Sequence, residues 1–125
     1  MRVKLVMAVA LLCLPGVGLA QSMNAEKFLK RANALKKKGP LALFSVGEIK
    51  ALMAEGQAAA NFARDGRKAD LKAGRKPRFC PEGGVKLGSD EFMTRLAAIP
   101  AAERMRINMG EASIRILAAK VPCAR

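Results

Sequence analysis

The amino-acid sequence predicts an all-α protein, a small helical bundle of about four helices with one disulfide. Apolar residues recur at spacings of three and four, as they do along one face of a helix. The alternation of Val, Ile, Thr and Tyr that predicts strands is missing, and the aromatic residues are five Phe with no Trp or Tyr. The length of 125 residues is enough for one domain, whose core alone would be marginal without a covalent link.

The first twenty residues have the layout of a secretory signal peptide. Arg2 and Lys4 precede the apolar stretch LVMAVALLCL, which Pro15 breaks and small residues end. A membrane anchor is the alternative, but the stretch is shorter than the roughly 20 apolar residues that span a bilayer. We therefore expect a signal peptide at residues 1–20, and a helical domain at residues 21–125 that lies in the periplasm without a transmembrane segment.

Cleavage of this leader would leave two cysteines and a strongly basic chain. Removing Arg2 and Lys4 leaves 21 basic and 10 acidic side chains, a net charge of +11. Cys13 departs with the leader, whereas Cys80 and Cys123 remain. Two cysteines in an exported chain predict one structural disulfide, which would close a loop of about 44 residues and contribute about 4 kcal/mol. The alternative is two unrelated buried thiols.

The first predicted helix runs from about Asn24 to Lys37. Asn24 is a suitable N-cap, and the basic run Lys36–Lys38 complements the dipole at the helix end, where Gly39 and Pro40 stop it. The short apolar stretch 41–44, LALF, is expected to dock as a turn against the core. The predicted apolar stripe consists of Ala25, Phe28, Leu29, Ala32 and Leu35.

A second helix is predicted to follow a capping box formed by Ser45 and Glu48, and to reach about Leu71. Its apolar stripe fades beyond Arg64 into a charged extension, with Gly66 as a break point. The predicted buried face consists of Ile49, Leu52, Met53, Gly56, Ala59, Ala60 and Ala63.

Two shorter helices are predicted after a loop at residues 74–88. Ser89 caps the third helix, which Pro100 closes, and Asn108 caps the last helix, which ends near Lys120. The residues expected to face the core are Phe92, Leu96 and Ile99, then Met109, Ala112, Ile116 and Leu117. If these helices form an antiparallel hairpin, a disulfide before one and after the other would clamp its open end.

The sequence offers little for catalysis, so we expect a protein that is not an enzyme. No histidine is present, which excludes Ser-His and Cys-His pairs and histidine metal ligands. Asp90 and Glu91 are typical charges of a helix first turn, and Gly83-Gly84 lacks the strand and Gly-Lys-Ser/Thr of a phosphate loop. We predict no catalytic, cofactor-binding or metal-binding residues and no cofactor.

The excess of basic residues is the strongest chemical signal. Basic residues cluster at Lys36–Lys38, at Arg64, Arg67 and Lys68, and at Lys72, Arg75, Lys76 and Arg78. They are either solvated surface or a site for an acidic protein or acidic envelope polymer. Nucleic acid is disfavoured because no aromatic residues are interleaved for base stacking, no recognition motif is present and the leader directs the chain out of the cytosol.

The C-terminal part resembles a known family. Residues 79–123, FCPEGGVKLGSDEF…IPAAERMRINMGEASIRILAAKVPC, resemble the Rap/Tai-type immunity proteins. Those are small, exported, all-helical proteins of Gram-negative bacteria that protect the periplasm against peptidoglycan-cleaving amidases delivered by type VI secretion, and characterised members form dimers. The positions that carry the resemblance are Phe79, Cys80, Val85, Leu87, Ser89, Pro100, Ala112, Leu117, Pro122 and Cys123.

This resemblance implies a Cys80–Cys123 disulfide, a secreted amidase effector or other envelope protein as partner, and a homodimer. The first half departs from the family, because EGQAAANFARDG stands where members usually carry a second cysteine pair and a tyrosine. The predicted function is an exported, non-catalytic binding protein that neutralises a type VI amidase effector. The alternative is a cationic envelope protein that associates with anionic lipid or cell-wall polymer. The partner-binding residues are not predicted.

Overall fold

The computed structural model describes residues 23–124, and helices dominate this range. The helices are α1 (Ala25–Lys37), α2 (Val46–Lys72), α3 (Ser89–Ala98), α4 (Ala101–Arg104) and α5 (Met109–Lys120), with a 3₁₀ segment (Gly39–Phe44) between α1 and α2. A disulfide joins Cys80 to Cys123. The prediction of a small all-α bundle with one disulfide is therefore confirmed. The predicted signal peptide lies outside the described residues.

The two asparagines predicted as helix caps perform that role. The side-chain oxygens of Asn24 and Asn108 each accept a hydrogen bond from the backbone N–H three residues later, at 2.7 and 2.9 Å. The two caps also lie side by side in an isolated antiparallel bridge, in which the Ala25 N–H donates to the Ile107 carbonyl at 3.0 Å. The starts of α1 and α5 are thus fixed against each other by backbone hydrogen bonds.

The main core lies where α1, α2, α3 and α5 meet. Leu96 of α3 and Met109 of α5 are its largest fully buried side chains, and burying each removes enough apolar surface to contribute about 1.5–3 kcal/mol. α5 packs most extensively along α2. The buried members of this core are Ala25, Phe28, Leu29, Leu52, Ala59, Leu96, Met109, Ala112 and Ile116.

The predicted buried face of α2 is partly wrong. Met53 is 69% exposed and Ala60 is exposed, because the neighbouring helices cover only a narrow row of positions at spacings of three and four. That row consists of Leu52, Glu55, Ala59 and Ala63. Gly66 does not break the helix, which continues to Lys72, since one glycine costs only about 1 kcal/mol in a helix interior.

The stretch 41–44 does not dock against the core, contrary to prediction. It forms the end of the 3₁₀ segment, and its side chains Leu41, Leu43 and Phe44 are 65, 75 and 88% exposed. The positive φ of Gly39, 53°, turns the chain directly after α1, so the segment leaves the bundle before its apolar residues can reach the core.

The capping box predicted at the start of α2 does not form. Glu48 is instead bound at both carboxylate oxygens by Arg31, at 2.5 and 2.6 Å, and such a charge-assisted pair is stronger than a bond to a neutral backbone amide. The Ser45 hydroxyl accepts from Nζ of Lys38 at 3.0 Å. The predicted cap of α3 is also displaced by one residue, because Gly88 holds the cap position and Ser89 is the first helical residue.

Candidate binding surfaces

The disulfide closes the end of the bundle at which α3 begins and α5 ends. The Cα atoms of Cys80 and Cys123 are 4.8 Å apart, and the Cys80 N–H donates to the Val121 carbonyl at 2.8 Å. Beside them, Nζ of Lys120 lies 2.6 Å from a carboxylate oxygen of Glu91 in the first turn of α3. The start of one helix therefore meets the end of the other, as the predicted clamp requires.

An open apolar groove of about 720 Å³ runs between α2 and the loop that leads into α3. Leu52 and Phe28 are buried beneath it, and the exposed Met53 stands on its α2 side. The opposite wall comes from Val85 and Leu87 in the loop. The remaining lining residues are Gly56, Gln57, Ala60, Arg64, Gly88, Ser89, Phe92, Met93, Ser113 and Leu117. We call this the α2–α3 groove.

The lining of the α2–α3 groove is mainly apolar. Its polar lining consists of Gln57, Arg64, Ser89 and Ser113, and no carboxylate or cysteine lines it within the described residues. One edge therefore carries a guanidinium, which favours a carboxylate of whatever occupies the apolar part.

The disulfide anchors one end of the loop that forms this groove wall. The loop is attached at its start, through Cys80, to Cys123 in the segment after α5, and it continues directly into α3 at its other end. Cys80 follows Phe79, which is buried with Ala63 and Ile114 in a second, smaller core. The wall is thus held at both ends by ordered structure, so the groove is preorganised.

Glu55 is a buried charge that the sequence analysis missed. It is 4% exposed on the inner face of α2, and within residues 23–124 no hydrogen-bond partner reaches its Oε1. Burial raises the pKa of the Glu55 carboxyl, and a hydrogen bond from the Met23 backbone N–H offsets this in part. Glu55 lies three residues after Leu52 and four before Ala59, and this spacing indicates a buried position. A charged residue is rarely buried, so the sequence alone did not predict it there.

We expect Glu55→Gln to raise the free energy of unfolding at neutral pH by about 1 kcal/mol, because it removes an incompletely solvated buried charge. A raised folded-state pKa means that the native state binds the proton more tightly than the unfolded chain. Wild-type stability is therefore lost as pH rises from near 4.5 through the folded-state pKa.

The measurement is urea unfolding of both proteins across this pH range. Glu48, Glu91 and Glu111 are present in both, so their opposite titration cancels in the difference between the two curves. A difference that stays constant with pH would show that Glu55 keeps its ordinary ionisation in the fold.

Three cations of the predicted clusters bind groups within the fold. Arg78 binds Glu111 at 2.7 Å, and Arg75 binds Asp70 at 3.0 Å. Arg67 donates to the Phe79 carbonyl at 3.3 Å. The third cluster is therefore not one free surface.

Hydrogen bonds from cations lower the pKa of three carboxylates and keep them ionised. These carboxylates, each with its main donor, are Glu48 (Arg31), Glu91 (Lys120) and Glu111 (Arg78). Glu91 is thus a structural charge, in agreement with the interpretation of Asp90 and Glu91 as first-turn charges.

Within residues 23–124, two groups of exposed cations from the predicted clusters have no ion pair. One is Lys36–Lys38 at the end of α1. The other is a row at four-residue spacing on α2, formed by Arg64, Lys68 and Lys72 and continued in the loop by Lys76. Because Arg64 also lines the α2–α3 groove, this row extends from the groove edge toward the end of α2.

Comparison with known proteins yields no match to any family model, curated protein or solved structure. Within residues 23–124, no three His, Cys, Asp or Glu side chains gather where they could hold a metal ion. Over the same range, every helix is too short or too polar to cross a bilayer.

Proposed function

We propose that this chain is an exported, non-catalytic binding protein that occludes a peptidoglycan amidase in the periplasm, in the manner of the Rap/Tai-type immunity proteins. The observation that carries the proposal is the α2–α3 groove, an open apolar surface whose loop wall is fixed by the Cys80–Cys123 disulfide. The same cysteines bound the segment 79–123 on which the resemblance rests. A disulfide is typical of proteins that fold outside the cytosol.

Occlusion needs a rigid apolar centre and a polar rim. Met53 and Phe92 offer apolar contact area, while Arg64 at the rim can pair with a carboxylate of the partner. Preorganised walls limit the conformational entropy lost on binding, which raises affinity without additional contacts. This role requires no nucleophile or metal.

The proposal predicts that Met53→Asp weakens the complex about thirtyfold or more, because it places a charge in the apolar centre of the interface. Met105→Asp is the matched control, since Met105 is similarly exposed, 65% against 69%, and lies outside the groove. Oxidised protein recovered from the periplasmic fraction is used to capture partners from an envelope extract. The captured material is assayed for amidase activity, and the affinity of the purified amidase for each variant is measured.

Inhibition of the captured amidase that Met53→Asp abolishes and Met105→Asp preserves would support occlusion through the groove. An amidase that stays fully active in the complex would contradict the occluding role. A specific inhibitor is also expected to keep most of its affinity when ionic strength rises from low to moderate values, since its buried centre is not screened.

The second candidate is a cationic envelope protein that associates with anionic lipid or cell-wall polymer. The observation that favours it is the number of exposed cations without an ion pair, at the end of α1 and along α2. Binding of this kind is expected to disappear between low and moderate ionic strength, in contrast to the groove complex.

A further inference from the structure

The 3₁₀ segment carries a protruding apolar surface. Leu41, Leu43, Phe44 and Val46 are 65, 75, 88 and 52% exposed, whereas Ala42 between them is half-buried. Side chains exposed to this degree project from the bundle and do not line a cleft. We call these four residues the apolar tip.

Lysines flank the apolar tip on both sides in the sequence. Lys36, Lys37 and Lys38 precede it at the end of α1, and Lys50 follows it one turn into α2, on the same helix face as Val46. The hydrogen bond from Nζ of Lys38 to the Ser45 hydroxyl, 3.0 Å long, holds one ammonium group at the base of the tip.

The tip region is electrically positive because its one acidic residue is neutralised. Between residues 36 and 50 the sequence holds a single carboxylate, Glu48. Arg31 binds it through two hydrogen bonds of 2.5 and 2.6 Å. Four lysines therefore stand against one carboxylate at the tip, and Arg31 and Lys38 share that carboxylate.

We infer that the apolar tip docks on an anionic lipid bilayer, with Leu43 and Phe44 inserted at the headgroup–acyl boundary and the four lysines on lipid phosphates. The inference rests on the second role proposed above and gives that role a surface and a ligand. A tip of exposed Leu and Phe side chains flanked by Lys has the composition of an interfacial membrane element.

A protein partner is the weaker explanation of the same surface. Centres of protein–protein interfaces are enriched in aromatic residues, Met and Arg and depleted in Lys. The tip offers only Phe44 of these enriched types, and lysines flank it on both sides in the sequence. Charge complementarity and composition together therefore favour lipid.

The electrostatic part is tested by flotation of oxidised periplasmic protein with vesicles of phosphatidylethanolamine and phosphatidylglycerol, and with phosphatidylcholine vesicles. The triple substitution Lys36→Gln, Lys37→Gln, Lys38→Gln is expected to weaken partitioning to the anionic vesicles roughly a hundredfold. The matched control, Lys68→Gln, Lys72→Gln, Lys76→Gln, removes the same charge from the α2 row and should weaken it much less.

The apolar part is tested with two further variants. Leu43→Ser with Phe44→Ser should weaken partitioning roughly tenfold or more, while Leu71→Ser with Met105→Ser, which alters exposed apolar residues elsewhere, should not. Because the chain has no Trp or Tyr, Phe44→Trp supplies a unique fluorophore. Its emission should shift to the blue on anionic vesicles and stay unchanged with phosphatidylcholine.

Three outcomes would overturn the inference. If the tip variants and their matched controls lose equal amounts of vesicle partitioning, the protein associates with anionic lipid through its charge in general and the tip has no special part in it. Absence of vesicle binding at low ionic strength would exclude the lipid ligand altogether. A Phe44-dependent change in oligomeric state, or Phe44-dependent capture of a protein without vesicle binding, would assign the tip to a protein interface instead.

Discussion

Replacing Cys80 and Cys123 together by serine is expected to lower the free energy of unfolding by about 3–4 kcal/mol. The bridged cysteines are 43 residues apart, so the bond removes many conformations from the unfolded chain. A loss of this size is a large fraction of the 5–15 kcal/mol typical of small domains. Urea unfolding monitored by far-ultraviolet circular dichroism measures it.

Reduction of the wild-type protein provides the control. Treatment with a thiol reductant should lower the unfolding midpoint by the same amount as the double substitution, and should leave the double variant unchanged. An unaltered midpoint after complete reduction, verified by alkylation of both sulfurs, would show that noncovalent contacts alone hold α5 against the loop.

Gly110→Ala is expected to lower the free energy of unfolding by about 2 kcal/mol, because the Phe62 ring of α2 occupies the space that a side chain at this position would need. A Cβ atom at Gly110 would lie 2.5 Å from Cδ1 and 2.9 Å from Cγ of Phe62. Gly66→Ala is the matched control, since nothing lies within 4 Å of the corresponding Cβ and both glycines are helical. The control should gain up to about 1 kcal/mol from helix propensity.

A second background identifies the cause of the Gly110→Ala effect. In a Phe62→Ala chain the ring is absent, so the penalty of Gly110→Ala should largely disappear in a double-mutant cycle. Thermal and urea unfolding of the four proteins give the coupling energy. Equal penalties in both backgrounds would refute a steric origin at Phe62.

Local rules predicted most of the fold. Asn24 and Asn108 were predicted as caps because a short polar side chain before an apolar periodicity satisfies free N–H groups, and that chemistry is local. The cysteine pairing was also accessible, since only two cysteines follow the predicted leader. Leu96 and Met109 were expected in the core from their three- and four-residue spacing.

Contacts between helices account for the features that the sequence did not predict. Arg31 competes for Glu48 from another helix, and no capping rule contains that competitor. Met53 and Ala60 fit a buried stripe by spacing, but the number of neighbouring helices determines the stripe's width. The α2–α3 groove and the apolar tip both lie where neighbouring helices leave apolar side chains uncovered. The sequence does not show where helix coverage ends, so neither was predicted as a site.

The exposed thioether of Met53 has a chemical consequence. A methionine that is 69% exposed is open to oxidants, and its sulfoxide is polar and chiral, whereas the fully buried Met109 is protected. Oxidation at Met53 would place a dipole in the apolar lining of the α2–α3 groove and leave the core intact. In an oxidising compartment, oxidation would therefore alter the lining of the α2–α3 groove before it reached the core.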